Sequence, residues 1–188
     1  NDTRLDDPSV RMQFLQAAKG FAERGVKLRQ LNKYSLAWGH YRVALMTAVR
    51  YCDIDGLKAV SGSLLTLWRI LQKQAVEGKF GEPLSEKGKT ASLLRRWISY
   101  DAGEVLSALQ VCQEETLPVL SVERIRHRLS LMSGEYQLIY KQTMKFYKMA
   151  SEAGYENLGL EALLLTIAET DKLSILGIPD EHAPERST

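Results

Sequence analysis

An all-α fold of stacked antiparallel helical hairpins is what this sequence predicts, and three observations carry the expectation. Apolar residues recur at spacings of three and four along most of the 188 residues, glycine and proline are sparse, and no segment alternates like a strand. The periodic segments number about eight and are joined mostly by turns of about two to four residues, which makes neighbouring helices antiparallel.

The first helix opens at Asp7-Pro8, where aspartate can cap the first turn and proline loses no intrahelical donor, and it runs to about residue 31. A second, over 34–51, carries Ala37, Tyr41, Ala44, Leu45 and Ala48 on one face, and a third covers 56–75. The stretch VEGKFGEPLSEKGK, 76–89, holds three glycines and Pro83 and reads as a turn-rich insertion. Further helices are expected over 90–100, 103–116, 120–133, 135–153 and 158–176. Residues 1–178 form one domain in this reading, and 179–188 a flexible tail.

Composition limits what the chain can be. Apolar residues make up 45% and charged residues 26%, and no apolar run approaches the roughly 18 residues that suggest a membrane span. Cys52 and Cys112 sit in apolar-periodic segments, so both are expected as buried thiols, which points to a cytoplasmic or other reducing compartment. The chain starts at Asn1 with no charged-then-apolar leader, so it is read as a piece of a longer protein. Net charge is +2, but from Ala150 onward eight acidic residues face only Lys172 and Arg186. That part carries −6 and residues 1–149 carry +8.

The segment FAERGVKLRQLNKYSLAWGHYRVAL narrows the architecture. Phe21, Gly25, Leu28, Tyr34, Ala37, Tyr41 and Ala44 fall in the order of large aromatic, small residue, leucine, tyrosine and alanines. This resembles the tetratricopeptide repeat, a helix-turn-helix of about 34 residues that stacks into right-handed arrays. The resemblance implies that Gly25 and Ala37 let two helices cross closely while Phe21, Leu28, Tyr34 and Tyr41 fill the space around them. Arg24 and Val49 depart from the pattern, standing where the family usually has leucine and proline. Gly103-Glu104-Val105 and Gly134-Glu135-Tyr136 are expected at turns like Asn32-Lys33-Tyr34, and Gly56-Leu57-Lys58-Ala59 is echoed 103 residues later by Gly159-Leu160-Glu161-Ala162.

Familiar chemistry-bearing motifs fail on spacing. Cys52-Asp53-Ile54-Asp55-Gly56 looks like half of a calcium loop, yet with Gly56 sixth the first ligand is Tyr51 and the twelfth position is Gly62. The two aspartates are better placed to cap the incoming helix. Gly88-Lys89-Thr90 ends like a phosphate-binding loop, but Pro83 stands where the first glycine belongs. His40, His127 and His182 share no metal spacing, and no nucleophile elbow is present, so no cofactor, no metal and no catalysis are expected.

The basic residues are more informative. Arg124 and Arg128 lie four apart on one face of a helix, and the repeat register places that face in the concave groove, with Lys19 and Arg29 of the first helix pointing the same way. Paired guanidinium groups suit an acidic peptide or tail. Some tetratricopeptide domains clamp C-terminal carboxylates with Lys and Asn; this chain has Ala22 and Val26 there, so that mode is not expected. The resemblance therefore implies a non-enzymatic scaffold or adaptor that binds protein or peptide in its concave face. A ligand- or peptide-sensing regulatory domain is the alternative. Nucleic-acid binding, supported only by the +8 of residues 1–149, comes third because acids interrupt any basic stripe.

Overall fold

A computed structural model describes residues 7–77, 82–109 and 119–175, with side chains through Glu169. Seven helices make up the described residues, with no strand among them: α1 Pro8–Gln30, α2 Tyr34–Arg50, α3 Ile54–Val76, α4 Glu86–Ala108, α5 Val119–Leu131, α6 Tyr136–Glu152 and α7 Glu156–Ile175. Consecutive helices pack as hairpins. In addition α1 touches α3, α3 touches α5, α5 touches α7, and α2 touches α4. The odd-numbered helices therefore form one layer, backed by the even-numbered ones.

Local chemistry sets the helix ends. Asp7 Oδ1 accepts from the Ser9 amide at 2.8 Å and opens α1, as expected for an Asp-Pro start. These bonds to the ionised carboxyl hold Asp7 below the usual aspartate range. Ser85 Oγ accepts from the Gly88 amide at 3.1 Å and opens α4, so Gly88-Lys89-Thr90 lies in a helical first turn.

Four turns share one form. Asn32, Cys52, Gly134 and Gly154 have φ of 61°, 49°, 73° and 85°, and each stands two residues before the next helix begins. A left-handed residue reverses the chain and lets the next amide satisfy an orphan carbonyl of the helix just ended. Asp53 N donates to Ala48 O and Tyr155 N to Ala150 O, both at 2.8 Å. Asn32 and Gly134 are 102 residues apart, as are Cys52 and Gly154. Helix α6 repeats the bounds of α2 at that same interval. The unit α1–α3 thus recurs as α5–α7.

Three sequence expectations need correction. The described parts of the helices expected at 90–100 and 103–116 run together as α4, 110–116 lying outside the described residues, so Gly103-Glu104-Val105 lies inside a helix rather than at a turn. Asp101 lies inside this helix, and its buried carboxylate accepts from Trp38 Nε1 at 2.8 Å and Arg42 Nε at 3.1 Å, which ties α4 to α2. The structural interval is 102, one less than the Gly56/Gly159 echo, so Gly159 corresponds to Leu57. Cys52 is disulfide-bonded, not a thiol. It sits at the half-buried α2–α3 turn, outside the apolar face of α2, which removes the ground for expecting a reducing compartment. Cys112, the only other cysteine, and the expected 179–188 tail lie outside the described residues.

The core joins both layers. Ala37, Tyr41, Ala44 and Leu45 of α2 meet Leu57, Leu64, Trp68 and Leu71 of α3 and Ile98 and Ala102 of α4. Of the repeat-signature residues, Gly25, Ala37, Tyr41 and Ala44 are buried, while Phe21, Leu28 and Tyr34 pack half-buried against the same core. A Cβ on Gly25 would lie 2.7 Å from the Tyr41 ring, so glycine is needed there for the helices to cross.

Candidate functional site

Helix α5 carries charge on one side and a neutral histidine on the other. Arg124 and Arg128, four residues apart, share the side that faces α3 and α7. Arg128 Nη1 lies 3.4 Å from the carbonyl oxygen of Lys58, and Arg124 Nη2 lies 3.6 Å from Glu161 Oε2. Burial lowers the Arg128 pKa from its ordinary value, neighbouring Arg124 lowers it further, and Glu161 opposes both. Among the described residues Glu161 pairs with Arg124 and is the carboxylate whose charge acts on Arg128, and Lys58, whose carbonyl Arg128 reaches, is exposed. The local balance is positive.

His127 points the other way, into the interface of α5, α6 and α7. Its Nε2 is 2.9 Å from Thr166 Oγ1, which lies 2.8 Å from Thr143 Oγ1. Thr166 Oγ1 also lies 2.9 Å from Ala162 O and Thr143 Oγ1 2.7 Å from Ile139 O, so the two hydroxyl protons are shared between backbone carbonyls and the side-chain chain. Desolvation, then Arg128 and Arg124, push the His127 pKa down to about 4, so the ring is neutral at physiological pH.

The second feature is a groove between α1 and α3, floored by Ala44 and Ala48 of α2, with a volume of about 590 Å3. Met12, Leu15, Ala18 and Ala22 line one wall, and Gly56, Ala59 and Val60 the other. Lys19 and Arg11 stand at its edge on α1, while Asp53 and Asp55 mark the start of α3. Asp53 occupies the cap position of α3 but makes no side-chain cap bond, so neither aspartate acts as the capping acceptor expected of them; Asp55 lies in the first turn, where its charge favours the helix dipole.

Internal repetition explains the groove. At the 102-residue interval, Ala18, Ala22, Ala44, Gly56 and Ala59 correspond to Leu120, Arg124, Phe146, Leu158 and Glu161. The seam that Arg124 and Glu161 bridge between α5 and α7 is open between α1 and α3. Small side chains on a common backbone create the cavity.

The four basic residues singled out in the sequence separate into three places. Arg124 and Arg128 stand together, and Lys19 lines the α1/α3 groove. Arg29 lies in the last turn of α1 with its Nε buried, where its charge complements the helix C-terminus. Sequence reasoning missed the groove and the His127 network. The 102-residue pairing of Tyr34 with Tyr136 was the signal that could have revealed both.

Other buried charges are structural ties. Glu169, fully buried on α7, accepts from Arg69 Nε of α3 at 2.8 Å and lies near Arg95, which stacks over Trp68. Glu123 accepts from Arg126 at 2.9 Å and Lys145 at 3.0 Å. Among the described residues no group of three or more His, Cys, Asp or Glu is placed to hold a metal ion, and no helix is long and apolar enough to cross a membrane. Comparison with protein-family models, curated proteins and solved structures finds no match.

Proposed function

We propose that the chain is a non-catalytic, tetratricopeptide-like protein-interaction module that binds a protein or peptide segment across its odd-numbered helices and receives an acidic group at Arg124 and Arg128. The observation carrying this reading is that, among the described residues, Glu161 is the one carboxylate set against those two guanidinium groups. Holding two cations side by side, partly desolvated, costs free energy that an incoming carboxylate would recover. The two-layer hairpin array supports the reading by supplying an extended face built of four helices. No cofactor enters this reading.

The test is binding of a fluorescein-labelled Gly/Ser peptide bearing a Glu–Glu pair, measured by anisotropy at low and moderate salt. Arg124→Gln with Arg128→Gln is expected to weaken it by roughly tenfold or more and to flatten its salt dependence. Equal binding of the Gln–Gln peptide to the unaltered chain would remove the basis of the proposal.

A further inference from the structure

We propose that the α1/α3 groove is an anchor pocket for one apolar side chain of an extended peptide whose acidic residues, roughly three to five positions away, reach Arg124 and Arg128. This rests on the peptide-binding reading above and specifies the partner. The pocket arises from five substitutions at positions where the α5–α7 unit carries larger side chains, so the repeat backbone alone does not produce it. Its volume of about 590 Å3 falls within the range of about 300–1,000 Å3 typical of ligand pockets.

Helix α3 joins the two features. The groove opens on the side of α3 that carries Gly56, Ala59 and Val60, and Arg128 meets the opposite side at Lys58 and Gly62. Between them the solvent-facing surface of α3 carries Ala59 and Gly62, so a peptide backbone can cross close to the helix. Arg128 Nη1 is 3.6 Å from where a Gly62 Cβ would stand. Neighbouring helix axes lie about 8–10 Å apart, so the span from the α1/α3 groove to the α5 arginines is roughly 10–15 Å. An extended chain advances about 3.3 Å per residue, which sets the spacing.

Charge favours one direction. The groove lining is balanced, with Arg11 and Lys19 on α1 against Asp53 and Asp55 at the start of α3, whereas Arg124 and Arg128 on the far side of α3 carry a net positive balance that attracts an acidic residue. The partner is therefore an extended segment with an apolar residue followed or preceded at this spacing by acids, not a uniformly acidic tail.

The experiment uses fluorescein-labelled Gly/Ser peptides with one leucine and a Glu–Glu pair separated by roughly two to six residues, together with Leu→Ala and Glu→Gln versions. The unaltered chain is expected to bind the leucine peptide about tenfold or more tightly than its alanine counterpart, with an optimum at the middle spacings. Ala22→Arg with Ala59→Glu installs across the groove the pair that bridges α5 and α7, and should abolish the leucine preference while keeping the dependence on glutamate. Ala59→Gln, at an exposed position, serves the same purpose with little risk to folding. If leucine and alanine peptides bind the unaltered chain equally but glutamate still matters, the anchor pocket is wrong and the acidic-peptide reading stands. If glutamate is also irrelevant, both fall. A leucine preference that persists in both groove variants, with unchanged melting, overturns the assignment of the pocket.

Discussion

Helices α1–α3 and α5–α7 follow the same backbone plan with different fillings. Gly25, Tyr41, Leu64 and Leu67 of the first unit correspond to His127, Thr143, Thr166 and Glu169 of the second, and all eight are buried. In the first unit a tyrosine ring fills the space that a glycine leaves, and leucines complete an apolar contact. In the second, a histidine and two threonine hydroxyls form a hydrogen-bonded chain and a glutamate meets Arg69. The turns set the backbone, and the interior tolerates either solution provided the volume is filled. The surfaces diverge accordingly: the first unit is open at its odd-helix seam, and the second is closed by an ion pair.

The largest expected effect comes from cutting the polar filling. Glu169→Ala would leave Arg69 and Arg95 without their shared carboxylate and should cost about 3–4 kcal/mol in denaturant unfolding. A loss under about 1 kcal/mol would mean the second unit does not depend on that charge.

His127 makes a comparable prediction in pH. Its folded pKa of about 4 lies below the ordinary value of 6.5, so the unfolded chain binds the extra proton between these values. Stability contributed by the neutral ring is present above about pH 6.5 and declines as pH falls towards about 4, by about 3 kcal/mol. His127→Gln, which can still bond to Thr166, should remove this share of the slope. An identical slope in both proteins would show that the acid sensitivity belongs to the carboxylates alone.

The apolar filling gives a smaller effect. Gly25→Ala forces a methyl group against the Tyr41 ring and should lower stability by about 2 kcal/mol, whereas Gly103→Ala, with open space around its Cβ, should raise it by about 0.5–1 kcal/mol. Melting curves of the two variants test this directly. Shifts of the same sign would undo the contrast between a packed glycine and one that merely interrupts a helix.

The sequence by itself determined the all-helical class and most helix spans, because these rest on periodicity and capping within short windows, and the repeat resemblance marked Gly25 as small where α1 and α2 cross. It also marked Arg124 and Arg128 as a pair, since four residues on a helix fix a shared face. It misread Gly103 as a turn because a glycine within a helix looks like one that ends it, and the packing that places this stretch, such as Asp101 bonded to Trp38 and Arg42 about 60 residues away in sequence, is not local. Only the tertiary structure decided which small residues converge on the α1/α3 groove, that Arg29 stands apart from Arg124 and Arg128, and that His127 is buried and neutral. Those properties depend on what another helix places opposite each residue, and that partner is chosen by packing across the whole array rather than by neighbours along the chain.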